Sequence, residues 1–98
     1  MLFQYDSDGC TLSDTDKDLI AAKISKLEHL GHRLDDESSK VHVQVVRGTR
    51  HNSPNFGIRV QVTIPGHSLR AEASGPEIAD AADEVERKLR VQIEKLDK

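Results

Sequence analysis

Ninety-eight residues suffice for one domain with a modest core, and are too few to enclose a deep active-site cleft. A net charge of -3, from 14 Lys and Arg against 17 Asp and Glu, excludes a globally basic, DNA-coating protein but allows a local basic patch. The only aromatic residues are Phe3, Tyr5 and Phe56, which argues against a sheet that binds RNA by stacking bases on rings.

Met1 to Tyr5 is apolar and aromatic and suits a first strand, followed by a turn cluster from Asp6 to Gly9. Ser13 and Asp14 are good helix N-caps, and Asp16 and Asp18 fall in the first turn, where carboxylates complement the helix dipole. Leu19, Ile20, Ile24, Leu27 and Leu30 then form a helical apolar stripe that runs to Gly31, a natural C-cap. Arg33 to Ser39 reads as a polar, acidic connection.

Val41, Val43 and Val45 alternate with His42 and Gln44, the pattern of a half-buried strand. Gly48 to Asn55 is rich in Gly, Asn, Ser and Pro and reads as a loop. Phe56, Ile58, Val60, Val62 and Ile64 alternate with polar residues, and Pro65-Gly66 predicts a tight hairpin turn. Leu69, Ala71 and Ala73 form the inward row of the next strand, with Arg70 and Glu72 outward. At Gly75-Pro76 the period changes to that of a helix. Pro76 suits the first helical position, and Ser74 with Glu77 resembles a capping box. Ile78, Ala82, Val85, Leu89, Ile93 and Leu96 make the stripe of this last helix.

The order is therefore β-α-β-β-β-α, an α+β domain over residues 1–98. Alternating strands imply one wet sheet face, and the two helical stripes are expected to cover the other side by side. The lone Cys10 allows no intramolecular disulfide, and the start of the chain turns acidic too early for a signal peptide. No apolar run is long enough to cross a membrane. A cytoplasmic protein is expected.

Chemistry-bearing constellations are few. His29, His32, His42, His51 and His67 are scattered without ligand spacing, so no metal site and no cofactor are expected. Cys10 precedes a helix but has no base or oxyanion donor fixed by sequence, and reads as a small buried cysteine. The carboxylates Asp35, Asp36, Asp80, Asp83 and Glu84 look solvated, unlike a general acid. Arg50 offers a cation in the polar loop, although such loops are commonly just solvated.

What remains is a set of cations late in each helix. Lys23 and Lys26 lie three apart in the first, and Arg87, Lys88, Arg90 and Lys95 follow the acidic start of the second. Two readings fit. These residues neutralise phosphates of a localised anionic partner. Alternatively they complement helix dipoles and pair locally, with Glu84 placed four before Lys88.

The segments LSDTDKDLIAAKISKLEHL and LRAEASGPEIADAADEVERKLRVQIEKL resemble the family of ribosome hibernation-promoting factor and ribosome-associated inhibitor A. The likeness lies in the Lys-x-x-Lys-Leu-Glu end of the first helix, the small alternating residues and Gly of the strand end, and the ending of the last helix. It covers nearly the whole chain. It implies a fold similar in its later part to double-stranded-RNA-binding domains. It also implies a non-enzymatic translation inhibitor in the mRNA and tRNA channel of the small ribosomal subunit, acting under stress and leaving the ribosome idle. Lys23, Lys26, Lys88 and Lys95 take the family's phosphate contacts, with Arg87 and Arg90 beside them. Val91 stands where the family usually carries Arg. Expected partners are the small subunit and its rRNA, with no DNA or membrane. These residues correspond to a short form or to the N-terminal domain of a long member, without the C-terminal dimerisation domain, and the isolated domain is expected to be monomeric or weakly dimeric. The competing expectation is a small protein-interaction module that uses its sheet face or acidic loop and ignores RNA.

Overall fold

The inward rows of the strands face one another in register. Val41, Val43 and Val45 lie opposite Val62, Val60 and Ile58, and Val60 and Val62 lie opposite Ala71 and Leu69. All of these side chains are buried. The computed structural model describes residues 1–30 and 38–96. In chain order they form β1 (Leu2–Asp8), α1 (Asp14–Ser25), a 3-10 segment (Lys26–Leu30), β2 (Lys40–Arg50), β3 (Ser53–Ile64), β4 (His67–Gly75) and α2 (Ile78–Lys95). The sheet order is β1-β2-β3-β4, with β1 parallel to β2 and the other pairs antiparallel. The expected fold class is the one observed.

Both helices cover the same sheet face. Ile20, Ile24 and Leu27 join Ala82, Val85, Leu89 and Ile93 in a single core with the inward strand rows, and α1 lies against α2. Phe3 and Tyr5 extend this layer under α1, their rings stacked with centroids 6.1 Å apart. The Tyr5 hydroxyl donates to the Lys17 carbonyl at 3.3 Å. Burial, and then the Asp18 carboxylate, push its pKa above the ordinary tyrosine range, so it keeps the proton it donates.

Helix starts follow local chemistry unequally. Ser13 caps α1 through a reciprocal box: Asp16 N–H donates to Ser13 Oγ at 3.1 Å, and Ser13 N–H donates to Asp16 Oδ2 at 3.3 Å. The box expected of Ser74 and Glu77 does not form. Glu77 is itself the N-cap of α2 and gives no side-chain cap bond. Gly75 still belongs to β4, opposite Phe56, so Ser74 is committed to the strand before the helix begins. The helical stripe reaches Leu30, but its last turn tightens to 3-10 from Lys26. Gly31, the connection as far as Glu37, His32 and Asp97 lie outside the described residues.

Three strands run further than expected. β1 continues through Asp6 to Asp8, held by pairing to Gln44, Val45 and Val46. The stretch Gly48–Asn55 is not a loop: it pairs with itself through Thr49 opposite Pro54 and Arg50 opposite Ser53, leaving only His51 and Asn52 in the turn. Both turn residues have positive φ, 53° and 63°, as a type I′ hairpin requires. Pro54 is tolerated because a residue next to the closing pair points its backbone nitrogen away from the partner strand. On that side β4 has already ended, opposite Phe56. The second hairpin, at Pro65-Gly66, is the turn expected from the sequence, with Gly66 at φ 84°.

Gly9 joins β1 to the α1 cap at φ 77°, and a Cβ there would sit 2.9 Å from the Arg47 carbonyl oxygen. Gly9→Ala is therefore expected to lower stability by at least about 1–2 kcal/mol, the cost of a left-handed backbone for a residue with a Cβ. Urea unfolding will read this as a reduced midpoint. An unchanged midpoint would mean that the β1 to α1 link adapts.

Candidate nucleic-acid interface

The two sheet faces differ in what they leave unneutralised. On the open face His42 meets Asp6 at 2.6 Å, Arg59 meets Glu72 at 3.0 Å, and the Gln61 amide donates to Ser68 Oγ at 3.3 Å. All three aromatic rings pack toward the helix layer, so the open face has none on which a base could stack. Its larger exposed apolar side chains, Leu2 and Val46, lie toward opposite ends of the sheet.

The outer surface of the helix layer is where the expected cations collect. A helix turns 100° per residue, which puts Arg90, Asp83, Glu94, Arg87, Asp80, Val91, Glu84, Lys95 and Lys88 in that order across the solvent side of α2. Lys23 reaches from α1 to Asp83 and forms an ion pair across the seam between the helices. The Lys23 hydrogen bond, aided by the charges of Lys23, Lys26 and Arg87, holds the Asp83 carboxyl below the ordinary carboxylate range. A depressed folded pKa means that the pair contributes at neutral pH and is lost as pH falls through that lowered value. One carboxylate thus bonds Lys23 and feels the charges of Lys26 and Arg87.

On the other flank α2 runs along the free edge of β4. The Gln92 amide clasps Arg70, donating to its carbonyl at 2.6 Å and accepting from its N–H at 3.4 Å. Lys88 donates to the Glu72 carbonyl at 2.7 Å. These side chains satisfy backbone groups that an edge strand otherwise presents to other chains. Between helix and strand lies an open groove of about 650 Å³ lined by Arg70, Arg87, Lys88, Val91 and Gln92 among others.

The six expected site residues divide accordingly. Lys26, Arg87 and Lys95 are exposed and have no ion pair within 4 Å among the described residues. Lys23 is tied to Asp83, and Lys88 serves the β4 edge in place of the expected pair with Glu84. Arg90 is half-buried and paired with Glu86, one helical turn earlier. Sequence reading missed Arg70, whose alternation marked it as an open-face residue. It lines the groove because β4 is the last strand and α2 overhangs its edge. No signal along the chain shows that overhang.

Other candidates stay apart from this surface. Cys10 is half-buried rather than buried, in a hollow with Arg47, Phe56 and Ile78. Among the described residues no three His, Cys, Asp or Glu side chains could jointly hold a metal ion. None of the described helices is long and apolar enough to cross a membrane.

A four-stranded mixed sheet, backed by two adjoining helices with a cation-bearing outer surface, defines a small two-layer α+β domain built to present a surface. The chain belongs to the family described as Sigma 54 modulation protein / S30EA ribosomal protein, whose profile matches residues 3–98. Among solved structures it is similar to a ribosomal subunit interface protein from Coxiella burnetii, with a TM-score of 0.81 and 21% identity over 99% of this chain and 98% of that one. It is also similar to the N-terminal domain of Protein Y from Thermus thermophilus, with a TM-score of 0.72 and 18% identity over 98% of this chain and 99% of that one. At these identities the likeness is one of fold. No curated protein sequence matches the chain at a significant level.

Proposed function

We propose that this protein is a ribosome-associated factor that acts by occupancy rather than catalysis. It binds the small ribosomal subunit through the outer surface of α1 and α2, occupies the channel used by mRNA and tRNA, and holds translation idle in the cytoplasm. The observation that carries this reading is the contrast between the faces. On the open sheet face His42 and Arg59 are tied to Asp6 and Glu72, leaving Lys40 as an exposed cation without an ion pair, while Lys26, Arg87 and Lys95 project unpaired, among the described residues, from the helix layer. Family membership and the ribosomal relatives supply the partner.

In this arrangement Lys26, Arg87 and Lys95 meet rRNA phosphates directly. Lys23 and Lys88 carry charge into the same field while bonded within the protein. The contacts are to backbone rather than bases, so binding follows the shape and charge of folded RNA. Sedimentation with purified small subunits through a sucrose gradient tests the reading. The protein is expected in the subunit peak at low salt, and to leave it as salt rises and counterion release weakens binding. Protein that stays at the top of the gradient at every salt, or binding indifferent to salt, would favour a protein-interaction module.

Val91 gives a gain-of-function check. It is 47% exposed on the groove wall beside Arg87 and Lys88. Val91→Arg adds a cation without disturbing the core and is expected to tighten subunit binding about threefold to tenfold, as one further phosphate contact would. Unchanged affinity would mean that this wall of the groove faces away from RNA.

A further inference from the structure

Of the carboxylates on the cation-bearing helix surface, Asp83 is the one that, among the described residues, bonds a cation across the seam between the helices. Its side chain is 57% exposed and bonded to Lys23, whose own side chain is only 18% exposed. The residues lie on different helices, 60 positions apart, so the pair is a product of the fold rather than of local helix spacing. Lys26 and Arg87 act on the same carboxylate from either side of the seam. Lys23 alone bonds this exposed acceptor, and the charges of Lys26 and Arg87 add to the positive field around it.

We propose that Asp83 is an internal competitor for phosphate. It occupies the position on Lys23 that an rRNA phosphate oxygen would take, so it limits affinity and keeps the bound state reversible. The inference rests on the ribosome-binding reading and adds a regulatory residue to the same surface. Carboxylate and phosphate oxygens make the same charge-assisted hydrogen bond to an ammonium group, so one replaces the other without rebuilding the site. An exposed ion pair is weak, so Lys23 changes partner at little cost. The mostly buried stem of Lys23 holds its ammonium group at the seam whichever anion is present. Without Asp83, an incoming phosphate would meet a Lys23 ammonium group with no carboxylate bonded to it.

The test is the affinity of full-length protein for purified small subunits across a salt series, in wild type, Asp83→Asn and Asp83→Ser. Both substitutions remove the charge, and only one leaves an amide in its place. Both are expected to bind about threefold to tenfold more tightly. The slope of log affinity against log salt should steepen by up to roughly 0.7–0.9, the value of one more neutralised phosphate. In a Lys23→Gln background the gain from Asp83→Asn should shrink, because the freed ammonium is no longer present. Unchanged or weaker binding in either variant, while wild type binds in a salt-dependent way, overturns the competitor role and leaves the ribosome reading intact. Wild type that fails to bind subunits at any salt overturns both.

Discussion

Leu89→Ala should destabilise the protein by about 2–5 kcal/mol, the range for truncating a fully buried leucine. Leu89 has 0% of its surface exposed and sits in the stripe that α2 lays on the sheet, between Val85 and Ile93. Two effects add: the lost transfer of apolar atoms from water and the cavity left behind. Neighbouring positions are poorly able to collapse into that space, since Val60 and Val62 are held by strand pairing on both sides and Ala71 by pairing to β3. Domains of this size have only about 5–15 kcal/mol in total, so the loss is a large fraction of it. Urea unfolding should show a lower midpoint at an unchanged slope. A loss below about 1 kcal/mol would mean that α2 is not fixed on the sheet as described. Because α2 carries Arg87 and Lys95, unfolding it would remove binding as well, which makes stability a necessary control for the charge variants.

Reversing charge on the helix surface should do the opposite: it should leave the fold and remove the partner. Lys26→Glu and Arg87→Glu are each expected to weaken binding to small subunits on the order of tenfold, with the salt slope falling by roughly one. Arg87 is the more telling position, because it lies between the Asp83 cluster and the β4 groove and adjoins both. Neither residue is buried, so unfolding midpoints should move by no more than about 0.5 kcal/mol. Arg59→Glu on the open face is the matched control. It also removes a positive charge, but one already paired with Glu72 on the other side of the sheet. Equal losses from Arg59→Glu and Arg87→Glu would show that net charge alone governs binding. Full affinity in both helix variants would reject the α1 and α2 surface as the interface.

The division between legible and hidden features follows the distance over which each is decided. Side-chain alternation at Val41, Val43 and Val45, and from Phe56 to Ile64, already determined which residues face inward, because a strand repeats every two residues whatever surrounds it. Helical stripes did the same for Ile24, Leu27, Val85 and Leu89, and with the strand order they determined a sheet covered on one face. Local composition misled where pairing overrode it. Gly48 to Asn55 has the residues of a loop, but two adjacent positive-φ positions at His51 and Asn52 let its arms pair through to Arg50 and Ser53. Ser74 has the residues of a cap around it, but pairing with Gly57 keeps it in β4.

The cations divide in the same way. The sequence by itself placed Lys23, Lys26, Arg87, Lys88, Arg90 and Lys95 late in two helices of one layer, since that follows from helix spacing. Only the tertiary structure decided what each is free to do. Lys88 bonds the Glu72 carbonyl because α2 crosses the β4 edge there, and Lys23 bonds Asp83 because the two helices run side by side. Arg70 joins the groove for the same reason as Lys88. An ammonium group's partner lies within about 3 Å in space, and the chain brings such partners together from positions that no spacing along it relates.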